Sequence, residues 1–246
     1  MIDFPHLNWD ISLVLFFNKF CGKCIFLDTL GLVFLSVDAL RTAILVACVI
    51  GIWEYGRVKL NINANKHVIA ILFSIILTLG IIEILNALIN SPRPIVTYES
   101  QINLPITTDD TKELWKSGWV RNPKHGSFPS DTVALIATMA IGLFLWNRVL
   151  GTMAILFVFF SGVLPRLYFG LHYPSDMILG IVIALLSTLL IKKLKFFDSL
   201  ALKILSIQER FPYIFGTLGF YLAYIIADKF ILLRKLPIWL KVMLGN

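Results

Sequence analysis

Long apolar stretches separated by short polar turns constrain this chain more than any other feature of its sequence. Six such stretches carry few charged residues, and they cover residues 40–55, 67–89, 132–146, 149–164, 177–191 and 213–227. A helix that crosses the hydrocarbon core of a bilayer needs about 20 predominantly apolar residues. The pattern therefore predicts an all-α fold, a polytopic transmembrane helical bundle of about six spans.

The composition favours a membrane protein over other classes. Hydrophobic residues make up 58% of the 246 residues and charged residues only 15%, against about 45–50% and about 25% in an average soluble domain. A water-soluble enzyme, a disordered chain and a coiled coil do not fit this balance. The net charge of +7 is attributed to basic turns beside a membrane. We therefore expect no nucleic-acid partner, and no obligate protein partner is evident.

Polar residues divide the chain into three predicted parts. Residues 1–39 are predicted to form N-terminal interfacial helices, because charges interrupt the apolar run there. Residues 40–195 are predicted to form the transmembrane core, in which residues 91–127 make one long loop. Residues 196–246 are predicted to contain an amphipathic helix and a last span.

The distribution of lysine and arginine predicts the orientation. Cytoplasmic loops of membrane proteins carry an excess of these residues. Short turns on one side of the predicted bundle collect Arg57, Lys59, Lys66, Arg148, Lys192, Lys193 and Lys195. The long loop lies on the other side, where acidic residues offset the basic ones. We expect an inner or plasma membrane location, with the loop facing the periplasm or the cell exterior.

Alternating spans bring several polar groups to the outward edge of the bundle. Arg93 follows the second span and Arg166 ends the fourth, and two arginines can bind a phosphate with bidentate hydrogen bonds. Pro129 suits the first turn of the third span. That helix start would offer an anion three backbone N–H groups, those of Ser130, Asp131 and Thr132.

A histidine and an aspartate complete this polar edge. Neutral His172 can attack phosphorus, and Asp176 follows it four residues later, one helical turn away. The carboxylate can accept a proton from the other imidazole nitrogen, which fixes the tautomer and stabilises the cation that forms. The edge is therefore predicted to bind phosphate and to carry out chemistry on it.

These residues resemble the type 2 phosphatidic acid phosphatase superfamily, the membrane lipid phosphatases related to vanadium haloperoxidases. That family carries Lys-x6-Arg-Pro, Pro-Ser-Gly-His and Ser-Arg-x5-His-x3-Asp. Here Arg93-Pro94 matches the end of the first motif, Pro129-Ser130 the start of the second, and Arg166, His172 and Asp176 the third. The resemblance implies a lipid phosphate substrate, a phosphohistidine intermediate on His172, and neither a metal nor another cofactor.

The motifs depart from the family pattern at three positions. Asn86 stands in place of the lysine, two turns before Arg93 on the same predicted helix face, where it can still donate a hydrogen bond to substrate. Pro165 replaces the serine of the third motif. Asp131-Thr132 replaces Gly-His in the second motif, and the lost histidine is the acid that protonates the leaving group in the family.

The missing acid bears on the choice of substrate. An alkoxide leaving group needs a proton, whereas a phosphate monoester, whose second pKa is about 6, can leave as the anion. This favours a lipid diphosphate over phosphatidic acid. Three alternatives remain for the proton: His125 acts as a substitute acid, Asp131 does so, or no acid is used.

Three functions fit these observations. The first is hydrolysis of a polyprenyl diphosphate, such as undecaprenyl diphosphate, on the outer face of the membrane. The second is phosphate transfer from undecaprenyl diphosphate to a lipid A-type acceptor, as in members similar to lipid A 1-diphosphate synthase. The third is a catalytically degenerate member that binds lipid phosphate. The retained nucleophile favours an enzyme, because a binding site needs no oriented histidine.

Overall fold

The computed structural model describes residues 2–3, 6–106 and 126–227 of the chain. Ten helical segments and two short strands account for most of these ranges. They are β1 Ile2–Asp3, α1 Asn8–Asn18, α2 Ile25–Ser36, α3 Asp38–Val58, α4 Ile62–Leu88, β2 Ile89–Asn90, α5 Pro94–Thr97, α6 Asp131–Trp146, α7 Arg148–Tyr168, α8 Pro174–Lys193, α9 Lys195–Arg210 and α10 Pro212–Ala227.

The predicted all-α, polytopic membrane bundle is confirmed. Within the described ranges, four helices are long and apolar enough to cross a membrane, namely α3, α4, α7 and α8. Helices α9 and α10 pass the same test only as a pair bent by 119°. Helix α6, the third predicted span, has 16 residues, and at about 1.5 Å per residue it is shorter than the others.

Side-chain caps begin two of the long helices. The Asn61 side chain accepts hydrogen bonds from the backbone N–H groups of Asn63 and Ala64 at the start of α4, at 3.1 and 3.3 Å. The Asn147 side chain accepts one from the N–H of Leu150 in α7, at 3.0 Å. Such caps satisfy N–H groups that have no partner inside the helix.

Helix α6 lies at the centre of the bundle. It packs against α3, α4, α7 and α8, and most of its side chains are buried. An apolar helix without a polar face is expected to be surrounded by other helices. Close packing needs small residues: a Cβ atom added at Gly142 of α6 would lie 2.5 Å from a side-chain carbon of Ile71 in α4.

Helices α1 and α2 pack against the end of α7, near the predicted site. With 11 and 12 residues they are too short to cross a hydrocarbon core of about 30 Å. The Asn18 side chain donates to the carbonyl oxygens of Tyr168 and Asn103, at 2.8 and 3.0 Å. Asp28 accepts from the Tyr168 hydroxyl at 2.6 Å and from the Ile106 N–H at 2.9 Å. These bonds hold the beginning of the long loop on the bundle.

The two strands join the start of the chain to the end of α4. They pair in parallel, with Ile2 opposite Ile89 and Asp3 opposite Asn90. The pairing places the segment before α1 beside Ser91, which lies two residues before Arg93 in the first motif.

Candidate active site

The structure brings five of the predicted site residues together at one end of the bundle. Arg93 lies at the N-terminal boundary of α5 and Arg166 in the last turn of α7, whereas His172 lies just before α8. Ser130 lies at the N-terminal boundary of α6 and Asp176 in the first turn of α8. All five are buried, and none exposes more than 6% of its surface.

Hydrogen bonding selects one tautomer of His172. Its Nδ1 atom lies 2.9 Å from the backbone carbonyl oxygen of Ser127 and 3.5 Å from Oδ2 of Asp176. A carbonyl oxygen can only accept, so Nδ1 carries the proton and donates it. In the neutral ring Nε2 therefore holds the lone pair, which makes it the nucleophilic nitrogen.

The surroundings of His172 keep the ring neutral. Burial, followed by the positive charge of Arg93, lowers the pKa of His172 to about 4, while the hydrogen bond and charge of Asp176 act in the opposite direction. Arg166 also lowers this pKa. At neutral pH the imidazole is consequently unprotonated and able to act as a nucleophile.

Asp176 connects the loop that carries His172, residues 169–173, to the start of α6. Its Oδ2 accepts the backbone N–H of Tyr173 at 2.9 Å, and its carbonyl oxygen accepts the N–H of Ser130 at 3.1 Å. His172 and Asp176 lie close together, with 3.5 Å between Nδ1 and Oδ2, but the Ser127 carbonyl is the nearer acceptor for Nδ1, and the two residues are not one turn apart in a helix. Because α8 begins at Pro174, His172 lies outside it, and the loop before the helix brings the two side chains together.

The two arginines are held through backbone carbonyls. Nη1 of Arg93 donates to the carbonyl oxygen of Leu171 at 3.4 Å, and Nη1 of Arg166 donates to that of Gly162 at 2.7 Å. Gly162 belongs to a π-helical turn, Phe159–Val163, within α7. Pro165 follows this turn and cannot donate a helical N–H, so the departure from the family's serine coincides with a local change of helix type next to Arg166.

The predicted anion pocket at the start of α6 is wrong in its details. Pro129 lies outside the helix, because α6 begins at Asp131 with Ser130 at its N-terminal boundary. The N–H of Ser130 donates to Asp176, and the N–H of Thr132 donates to Oδ1 of Asp131 at 2.6 Å. The Ser130 hydroxyl, in contrast, is buried and has no hydrogen-bond partner in the described part of the chain. That hydroxyl is the group this motif can offer to a phosphate.

Asn86 and His125 are the two predicted residues not yet placed. Asn86 lies in α4, which ends at Leu88. Because Arg93 lies beyond that end, the expected shared helix face is wrong; Asn86 is half-buried, and its role in substrate binding stays a prediction. His125, one of the two candidate substitute acids, lies outside the described residues.

Three residues near the site were missed by sequence reasoning. Ser127 provides the carbonyl for His172, and its hydroxyl lies 2.8 Å from that of Ser91. His6 bonds to Ser91 from the segment before α1, with its Nε2 atom 2.8 Å from the Ser91 hydroxyl. Neither serine belongs to a charge pattern or a helical repeat, so no local signal could have identified them.

Arg41 lies in the first apolar stretch of the sequence and was not among the predicted site residues. It is fully buried in α3 and donates to the Asp38 carboxylate and the Phe34 carbonyl. Its charge interacts with those of Asp131 and Arg166, so a third arginine lies in the electrostatic surroundings of the site. A charged residue in an apolar span is a functional candidate by default, and this was the available signal.

Comparison with known proteins found a curated relative. The undecaprenyl-diphosphatase BcrC of Bacillus subtilis (strain 168) is 26% identical to the chain over 137 residues. That match covers 56% of this chain and 60% of the Bacillus protein, less than two thirds of the relative's own length. No solved structure matches the chain significantly.

A family model identifies the family to which the chain belongs. The model described as PAP2 superfamily matches residues 67–199, more than half of the chain. Among the described residues, no group of three or more His, Cys, Asp or Glu side chains could hold a metal ion. Since the matched segment contains both site arginines and the His172–Asp176 pair at the geometry given above, this chain belongs to the PAP2 superfamily.

Proposed function

We propose that this protein is an integral membrane phosphatase that hydrolyses a polyprenyl diphosphate through a phosphohistidine intermediate. The orientation of His172 carries the proposal: its Nδ1 atom is committed to the Ser127 carbonyl at 2.9 Å, which leaves Nε2 as the nucleophile. Arg93 and Arg166 are buried beside it. An oriented nucleophile with two guanidinium groups provides the positioning and charge stabilisation that phosphoryl transfer requires.

The reaction has two steps. In the first, the Nε2 lone pair of His172 attacks the terminal phosphorus, the bond to the bridging oxygen breaks, and the polyprenyl monophosphate leaves with that electron pair. In the second, water attacks the same phosphorus, the N–P bond breaks, and inorganic phosphate and a proton are released. Asp176, 3.5 Å from Nδ1, stabilises the positive charge of the ring while the N–P bond exists.

The second motif supports a diphosphate as the substrate. The position of the family's acid holds Thr132, whose hydroxyl donates to Oδ1 of Asp131 at 3.2 Å. The same carboxylate oxygen accepts the N–H of Thr132, so both contacts use Asp131 as an acceptor. A leaving group that departs as a stable anion needs no acid at this position. The name of the Bacillus relative, an undecaprenyl-diphosphatase, supports the same substrate class.

The guanidinium groups supply the positive charge, so we propose that no metal ion is needed. Purified protein in detergent with EDTA should release phosphate from polyprenyl diphosphate, and His172→Ala should abolish this release. Polyprenyl monophosphate should react at least about 10-fold more slowly, because its leaving group is an alkoxide. His67→Ala is the matched histidine control, since His67 bonds to Gly142 in the bundle core, away from the site.

Three results would contradict the proposal. Equal rates with both lipids would remove the leaving-group argument, and activity in His172→Ala would remove the nucleophile. Phosphate that moves to a lipid A-type acceptor without appearing free in solution would identify a phosphotransferase instead.

A further inference from the structure

The segment before α1 contacts the loop that carries His172 through the side chain of His6. Its ring stacks on the ring of Tyr173, with centroids 3.5 Å apart and planes inclined by 16°. Tyr173 directly follows His172 in the chain. The Nε2 atom of His6 also lies 2.8 Å from the Ser91 hydroxyl. His6 therefore contacts the residue that follows the nucleophile and also Ser91, which lies between β2 and α5.

Hydrogen bonds continue from His6 to the nucleophile itself. The hydroxyls of Ser91 and Ser127 lie 2.8 Å apart, and the N–H of Ser127 donates to the carbonyl oxygen of Ser91 at 2.8 Å. The Ser127 carbonyl then accepts from Nδ1 of His172 at 2.9 Å. Both serines are fully buried, so little water is available to replace these contacts.

A buried carboxylate in the first turn of α1 holds that helix against α8. Asp10 is 1% exposed, and its Oδ1 accepts the backbone N–H of Ser175 at 3.0 Å. Its other oxygen lies 3.8 Å from Nδ1 of His6. Ser175 adjoins Asp176. The segment before α1 therefore supports Ser127 through Ser91, and the first turn of α1 supports Asp176. Ser127 and Asp176 are the two groups next to Nδ1 of His172.

We propose that His6 is a positioning residue for His172. Through Ser91 it fixes the Ser127 carbonyl, which sets the tautomer and direction of the nucleophilic ring. The inference rests on the proposed function, because it assigns His6 a role in that reaction. His6 acts on the Nδ1 side of His172, opposite the attacking nitrogen, so its role is orientation of the nucleophile rather than protonation of the leaving group.

The size of the effect follows from the geometry of attack. A displacement of about 1 Å at a reacting atom can reduce a rate by about 100-fold. Removing His6 leaves the serine pair and the Ser127 carbonyl in place but unsupported, so a smaller loss of rate is expected.

The charged and titratable groups around His172 are Arg93, Arg166 and Asp176, with His6, Asp10 and Tyr173 behind them.

The test compares His6→Ala with His6→Gln in the assay with polyprenyl diphosphate. His6→Ala should lower kcat about 10-fold with little change in KM. It should also move the acid limb of the kcat/KM profile to higher pH, because water entering beside Tyr173 reduces the burial that lowers the pKa of His172. His6→Gln retains an amide for Ser91 and should recover most of kcat. Ser12→Ala, an exposed position in α1 that bonds to Asn8, is the control.

A double-mutant cycle tests the route through Ser91. Ser91→Ala should resemble His6→Ala, and the double variant should be little worse than either, because both changes remove the same support. An unchanged kcat and acid limb in His6→Ala would overturn the inference, and so would strictly additive losses. If His6→Gln is as slow as His6→Ala and both lose thermal stability, the ring only fills space and the inference is wrong.

Failure of the proposed function gives a different result. In that case wild type and Ser12→Ala would both lack phosphate release that depends on His172, and the positioning role would fall with it. Phosphate release by the wild type that depends on His172 but is unchanged in His6→Ala would overturn the positioning role alone.

Discussion

At the scale of single residues, the proposed chemistry depends on how one imidazole is held. His172 donates from Nδ1 to a backbone carbonyl, and burial together with Arg93 lowers its pKa to about 4. In the proposed reaction the neutral ring is the reactive form, which predominates above that pKa and is lost below it. Asp176 opposes the shift, since its carboxylate favours the protonated ring.

The acid limb of the pH–rate profile should therefore lie well below that of an ordinary histidine. We expect kcat/KM of the wild type to be maintained from neutral pH down to near the His172 pKa of about 4. Asp176→Asn should move this limb to still lower pH, because a group that raises the pKa is removed. It should also lower kcat by about 100-fold, because the positive charge on the phosphorylated ring loses its partner.

Profiles of kcat/KM against pH for wild type, Asp176→Asn and His67→Gln would check this. His67→Gln should leave the limb in place. A wild-type limb near pH 6.5, or a limb that moves to higher pH in Asp176→Asn, would contradict the assignment.

At the scale of helices, the crossing of α6 and α8 aligns the second and third motifs. A Cβ atom added at Gly180 of α8 would lie 3.0 Å from the carbonyl oxygen of Ser130 and 3.4 Å from Cβ of Ala134. The same crossing contains the hydrogen bond from the N–H of Ser130 to the carbonyl oxygen of Asp176. Glycine at this position lets the two helix starts approach closely enough to form that bond.

A larger side chain at the crossing should therefore separate the two motifs. We expect Gly180→Val to destabilise the protein by about 1–3 kcal/mol, as overpacking of a core typically does, and to lower kcat about 10-fold. The matched control is Gly80→Val in α4, where an added Cβ meets nothing within 4 Å. Thermal unfolding in detergent and phosphate release would measure both effects, and equal behaviour of the two variants would contradict this account of the crossing.

At the scale of the whole molecule, one end of the bundle carries the site and the other the basic turns. Helices α1 and α2 belong to the site end, where Asp28 and Asn18 bond to Tyr168. Cys24, at the start of α2, is exposed. Lys59 lies in the exposed turn between α3 and α4, at the opposite end. The excess of lysine and arginine in such turns predicts that they face the cytoplasm.

Chemical labelling of intact cells would test this orientation. A maleimide reagent that cannot cross membranes should label Cys24 in wild-type protein. In a Cys24→Ser background it should fail to label Lys59→Cys until the membrane is permeabilised. The reverse pattern would place the active site on the cytoplasmic side and would exclude a reaction at the outer face. Cys21 is buried and should remain unlabelled in both backgrounds.

Local pattern was sufficient to identify the helices and most of the motif residues. Hydropathy over about 20 residues decides whether a segment can cross a bilayer, so the spans α3, α4, α7 and α8 could be predicted from the order of apolar residues. About six spans were predicted, however, and the described residues contain four, or five if the bent pair of α9 and α10 is one span. Arg93, Arg166, His172 and Asp176 could be identified because ionisable groups at the edge of apolar spans need a reason to be there. Their order along alternating helices also predicted that they share one face.

Tertiary packing decided the contacts that orient these groups. Pairing of β1 with β2 and the hydrogen bond from Ser175 to Asp10 bring the start of the chain to the site, so His6 contacts Ser91, 85 residues away. The helix starts at Pro174 and Asp131 placed His172 and Pro129 in loops, and the end of α4 at Leu88 separated Asn86 from Arg93. Helix ends and long-range hydrogen bonds depend on what packs beside them in space, and residue spacing along the chain does not contain that information.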